Sequence, residues 1–106
     1  MQRFDIKDFT GGWFVGDFEP TLVKTGDFEV AVKNYKAGAK EKKHYHKIAV
    51  EYTLIATGKV KMNEKEFEAG SIIRIDPGEA TDFEAIADTT TVVVKLPSVK
   101  NDKYLV

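Results

Sequence analysis

The sequence predicts an all-β domain, a sandwich or barrel of short strands. Three observations carry this expectation. Apolar and polar residues alternate with a period of two over several stretches. Gly, Pro, Asn and Asp punctuate the gaps between those stretches. No segment keeps a helical period beyond about one turn.

The elements follow in chain order. Residues 1–25 are rich in aromatics (Phe4, Phe9, Trp13, Phe14 and Phe18) and are broken by Gly11-Gly12. They are expected to form an arm packed on the barrel or on a second subunit. Within the arm, Trp13 and Phe14 either cap the barrel mouth or pack beneath the arm. The barrel itself is assigned to 26–97. Phe28–Tyr35 places Phe28, Val30 and Val32 on one face of a strand. Glu51–Thr57 is rich in β-branched and aromatic residues and ends at Gly58. Lys59–Met62 and Lys65–Glu68 flank Asn63-Glu64, a hairpin turn. Ser71–Ile75 is stopped by Asp76-Pro77-Gly78. Thr81–Ala85 and Thr90–Leu96 follow, with Asp88 in the turn between them, and Pro97 ends the last strand. The tail, 98–106, is expected to be extended. These seven strands at regular spacing give the sandwich or barrel pattern.

Composition narrows the function. The chain has 106 residues, Lys+Arg 16 against Asp+Glu 17, and a net charge of −1. That length suits one domain. The balanced charge argues against a nucleic-acid binder, which needs a cationic excess to neutralise phosphates. With no cysteine, disulfides, thiolate nucleophiles, zinc fingers and Cys-ligated iron–sulfur clusters are excluded. No apolar run is long enough for a membrane helix, and the N-terminus lacks a signal-peptide core. A cytoplasmic protein with no membrane partner is expected. Charge is uneven along the chain: Lys33, Lys36, Lys40, Lys42, Lys43 and Lys47 cluster, opposed by Glu41, and acidic residues concentrate later. Either two solvated strand faces of opposite sign or a cationic rim for a small anion accounts for this.

The chemistry concentrates in Lys43-His44-Tyr45-His46-Lys47, which holds the only two histidines. On a strand, residues i and i+2 point to the same face. Two imidazoles so placed can converge on one ion. A short turn could bring Glu51 back beside them, completing the two-His, one-carboxylate set of non-haem metal sites. The alternative is a pair of half-exposed surface histidines.

Gly38, His44, His46, Glu51 and Gly58 fall at the spacing of the first cupin motif, with all five fixed positions present. The chain here resembles the cupins from about Tyr35 to Leu96. In the second motif Gly70 and Gly78 match, but Asp76 stands where Pro is usual, Thr81 where the third histidine would be and Ala85 in place of Asn. The resemblance implies a double-stranded β-helix, a small jelly-roll barrel in a single domain. It implies one divalent metal ion (Fe, Mn, Ni, Co or Zn) on His44, His46 and Glu51, without the fourth ligand. Strand alternation points Asp82 away from the face of Thr81. Tyr35, Thr53, Arg74 and Thr81 are the further pocket candidates. Arg74 either binds a carboxylate or phosphate or forms a surface salt bridge. Tyr52 alternates outward, toward a second layer or a subunit interface.

Two functional classes follow. One is a metal-dependent enzyme of oxygenase or isomerase type acting on a small organic acid or sugar derivative. The other is a non-catalytic small-molecule binding or structural cupin with no functional metal. Homodimerisation is expected in both, because edge strands and outward Tyr52 and Leu54 need covering.

Overall fold

A computed structural model describes residues Met1–Val106. Ten strands form two antiparallel five-stranded sheets. They are β1 (Trp13–Val15), β2 (Glu29–Tyr35), β3 (Lys40–Tyr45), β4 (Val50–Thr57), β5 (Lys59–Met62), β6 (Lys65–Glu68), β7 (Ile72–Ile75), β8 (Thr81–Ala85), β9 (Thr89–Leu96) and β10 (Tyr104–Leu105). One sheet runs β1-β2-β9-β4-β7 and the other β10-β3-β8-β5-β6. Helix is confined to two short 3-10 turns, Ile6–Asp8 and Thr10–Gly12. No helix is long and apolar enough to cross a membrane.

The lumen is set by strand parity. Thr81, Phe83 and Ala85 of β8 are buried, as are Thr89, Thr91 and Val93 of β9. Ile55, Val60, Met62, Ile75, Phe83 and Ala85 form the apolar core, with Tyr35, Ala39, Phe67 and Ile73 packed against it. The β5–β6 turn is the expected hairpin: Asn63 and Glu64 take φ of 48° and 68°, the left-handed pair of a type I′ turn.

On β2 the apolar alternation faces the opposite way from a core strand. Glu29 and Ala31 are the buried residues, whereas Val32 lines an outer groove with Phe4, Phe9, Phe14 and Leu22. The N-terminal arm thus covers the outside of β2 with its phenylalanines and adds β1 to the sheet edge. Gly12 makes this docking feasible. It sits at φ 81°, and a Cβ there would run into the carbonyl oxygen of Val32. The tail also joins a sheet, since Tyr104 and Leu105 pair with Tyr45 and His44.

Candidate functional site

A cavity of about 170 Å³ occupies the lumen above the core, and Met62 and Phe83 belong to both. Two backbone features bring the histidines to it. A β-bulge lies between Glu41 and His44: Glu41 pairs with Phe83 and His44 with Thr81, so three steps on β3 match two on β8. The extra residue reverses parity. Glu41 and His44 consequently both line the cavity, while Lys42 and Lys43 are exposed between them. Beyond β3, the Gly78 N–H donates to the His46 carbonyl at 2.6 Å and ties the two motif loops together.

The imidazoles stand nearly perpendicular, 83° apart in plane, with ring centroids separated by 5.4 Å. The Lys42 carbonyl, which can only accept, lies 2.9 Å from His44 Nδ1, so Nδ1 is the donor and Nε2 is the nitrogen without a hydrogen-bond partner. His46 is 5% exposed. Burial first, then the Lys95 and His44 charges, push its pKa down to about 4, so it is neutral at physiological pH.

Glu51, on β4, carries the carboxylate. Its Oε1 is 4.0 Å from His46 Nδ1, and its Oε2 accepts from the Thr53 hydroxyl at 2.8 Å. Glu29 and Glu51 flank Lys95 in register on the neighbouring strands β2 and β4. The Lys95 ammonium, 14% exposed, lies 3.7 Å from Glu29 Oε2 and 3.5 Å from His46 Nε2.

The loop joining His46 to Glu51 is held from the tail. Asp102 is 5% exposed, and its carboxylate accepts from the backbone N–H groups of Lys47, Ile48 and Ala49 at 2.9–3.3 Å. Burial alone would raise its pKa, but these donors outweigh it and hold the carboxylate below the usual range. The Trp13 ring centroid lies 5.4 Å from the Lys33 ammonium and 5.0 Å from that of Lys95. Tyr35 donates to Glu41 Oε1 at 3.0 Å. Burial, then the Glu41 charge, raise its pKa, so the phenol stays protonated.

The structure therefore places His44, His46, Glu51, Tyr35, Thr53 and Thr81 on one cavity. Arg74 is not among them, which corrects its candidacy as a pocket residue. It pairs across strands with Tyr52, while Glu51 pairs with Ile75 and Thr53 with Ile73; the inward positions of β7 thus belong to isoleucines. Arg74 is exposed, donates from Nε to Asp76 Oδ1 at 2.8 Å and lies 5.7 Å from the Tyr52 ring centroid. Asp82 points away from Thr81, accepting from the Asn63 N–H at 2.7 Å. Of the lysine cluster, Lys40 and Lys36 pair with Glu84 and Asp88 on the surface, and Lys33 enters the cavity.

Sequence reasoning missed Glu29, Glu41, Thr91, Lys95 and Lys103 as cavity residues. For Glu29, Thr91 and Lys95 a signal existed: each shares parity with a lumen residue of its own strand. Glu41 depends on a bulge, and Lys103 on the return of the tail, neither of which has a local signature.

In kind, the donors suit a divalent ion: a neutral imidazole, a second imidazole with a free Nε2 and a carboxylate held by Thr53. No three His, Asp or Glu side chains are drawn to a single point, however, and the Lys95 ammonium faces His46 Nε2. Buried Thr81 lies opposite His44 and supplies a hydroxyl where an imidazole would stand in a complete set.

No family model and no curated protein matches the sequence. Solved structures do match the fold. A conserved Klebsiella pneumoniae protein with a double-stranded β-helix domain is 17% identical with a TM-score of 0.73, over 98% of this chain and 90% of that one. Oxalate decarboxylase from Bacillus subtilis is 15% identical with a TM-score of 0.69, over 77% of this chain and 24% of that one. DMSP lyase DddQ from Ruegeria pomeroyi is 15% identical with a TM-score of 0.73, over 88% of this chain and 49% of that one. The architecture is therefore a double-stranded β-helix.

Proposed function

We propose that this protein is a small metal-dependent cupin that acts on or binds a small organic molecule, with one divalent ion held by His44, His46 and Glu51. The observation that carries the reading is the meeting of two imidazoles and a carboxylate, from both sheets, on one cavity. Its support by analogy is the set of Mn(II) centres in the structurally similar oxalate decarboxylase. When bound, such an ion supplies Lewis acidity toward a carbonyl, carboxylate or enolate, or a means of activating oxygen.

The chain's own residues do the rest. His46 offers a neutral ring, and Thr53 holds the Glu51 carboxylate in place. Tyr35 remains a proton donor rather than a base. His46 Nδ1 faces the Glu51 carboxylate, while Nε2 faces Lys95, which also pairs with Glu29. No third histidine exists to act as a base, which favours chemistry without proton abstraction by imidazole.

Elemental analysis after incubation with Mn(II), Fe(II) or Zn(II) and desalting tests the reading. About one ion per chain is expected in the native protein, and loss of it in His46→Ala. Equal and negligible metal in both overturns it. The second reading is a non-catalytic binding barrel, favoured by the Lys95 ammonium beside His46. A metal-free protein that binds organic acids without turnover would establish that reading instead.

A further inference from the structure

The cavity contains more polar machinery than the His44–His46–Glu51 group uses. Its charged residues are Lys33, Lys95 and Lys103 against Glu29, Glu41 and Glu51. All three carboxylates are committed: Glu29 to Lys95, Glu41 to the Tyr35 hydroxyl, and Glu51 to Thr53. The Tyr35 and Thr53 hydroxyls are neutral, so the lining stays balanced in charge, but Lys95 alone of its three lysines is in a direct ion pair, and Lys33 touches no carboxylate. Lys33 is partly buried, and that burial pushes its pKa down, with Glu41 opposing. A partly desolvated ammonium that no carboxylate touches directly carries a cost that Glu41 offsets only in part.

A second, independent observation lies beside it. Thr91 is 1% exposed, lines the same cavity, and its Oγ1 is the one buried side-chain polar atom with no hydrogen-bond partner. Such atoms are rare in folded proteins, and each calls for an explanation. Thr91 on β9 is the direct cross-strand partner of Lys33 on β2. Adjacent residues of an antiparallel pair have their side chains on the same face.

We propose that Lys33 and Thr91 form an anion subsite, which takes the carboxylate of a small organic acid while the rest of the ligand extends toward His44 and His46. One ammonium and one hydroxyl donor match the two oxygens of a carboxylate. The cavity of about 170 Å³ is below the roughly 300–1,000 Å³ of drug-sized sites, which selects a compact metabolite. Trp13 also lines the cavity, with the Lys33 ammonium 5.4 Å from its ring centroid. The inference rests on the reading that the cavity takes a small molecule; it does not require the metal.

Calorimetric titration of metal-free protein with acetate, malonate and succinate, each beside its amide, tests it, with inorganic phosphate as a further arm. At least one carboxylate is expected to bind and its amide to fail. Lys33→Met should weaken that binding about tenfold or more and Thr91→Val about threefold to tenfold, in line with lost charged and neutral hydrogen bonds. Thr91→Val is nearly isosteric and guards against misfolding, which unfolding midpoints would reveal. Amides binding as well as acids, phosphate binding without any carboxylate, or variants that bind like the native protein would each overturn the subsite. Metal content measured on the same variants separates the two readings. Lys33→Met that keeps its ion but loses the acid supports the subsite, whereas a native protein that binds the acid but no ion refutes only the metal.

Discussion

The Lys95 ammonium lies 3.5 Å from Nε2 of His46, so a lysine cation already occupies one approach to an imidazole expected to bind a metal. Two unit charges about 4 Å apart interact by about 4 kcal/mol at an effective dielectric constant near 20. Even a fraction of that opposes a divalent ion. Lys95→Met should therefore tighten Co(II) binding by about tenfold or more, and it leaves Glu29 as an additional nearby anion. Calorimetry or the visible Co(II) spectrum reads the change. An unchanged affinity would show that Lys95 swings clear of the site at no cost.

His46 predicts a pH dependence for the metal-free protein. Its pKa falls from 6.5 to about 4 on folding, so between those values the unfolded chain holds a proton that the folded chain does not. Stability must then decrease as pH falls through that window, and this contribution is level above pH 6.5. The full difference amounts to about 3 kcal/mol, at about 1.4 kcal/mol per pKa unit. Urea unfolding from pH 7.5 to 4.5 should show the native slope flattened in His46→Gln. Parallel curves for the two proteins would place the lost stability elsewhere.

The spacing that resembles the first cupin motif made the barrel and the approach of His44, His46 and Glu51 to one cavity legible, because a fixed spacing encodes both the strand and its turn. Period-two alternation located β4 to β9 to within a residue or so. The same signal misled on β2, where the apolar face carrying Val32 turns outward to the arm and polar Glu29 and Lys33 line the lumen. A polar cavity inverts the usual rule that the apolar face is the inner one. Strand β3 was hidden by its lysines and by the bulge that turns both Glu41 and His44 inward. Arg74 misled for a related reason: its strand is apolar on both faces, so composition did not show which face is the lumen. Strand β10 and Asp102 depend on a return of the tail across more than fifty residues, which no local pattern records.

Asp102 is the residue on which the loop between the two proposed ligands depends. Three backbone donors from Lys47 to Ala49 end on its carboxylate. Asp102→Asn puts amide hydrogens where acceptors are needed. The cost is about 3 kcal/mol for hydrogen bonds to a charged group, or about 10 °C or more in Tm for a domain of this size. Amide exchange at Lys47, Ile48 and Ala49 should accelerate. The carboxylate's pKa is held below 3.8, so its contribution is present above about pH 4 and disappears as pH drops through the lowered value. Normal exchange protection in the variant would show that the loop is held by other contacts.

Trp13 provides the most direct observation of the cavity. It is the single tryptophan, and its ring lines the cavity with the Lys33 and Lys95 ammoniums at 5.4 and 5.0 Å from its centroid. Cations at that range interact with the indole face, so any ligand that draws either ammonium away changes the indole's surroundings. Malonate or succinate should shift or quench its emission with the same midpoint as calorimetric binding. Lys33→Met should abolish the response to acid while leaving the response to Co(II). Emission that follows the metal but ignores every carboxylate would confine ligand binding to the histidine side of the cavity. Trp13→Phe supplies the spectroscopic blank, and its affinity measures the contribution of the indole ring. A loss of about threefold to tenfold is expected if the indole's cation–π contact, worth about 0.5–1 kcal/mol at an exposed site and more when desolvated, helps to hold Lys33 for the anion.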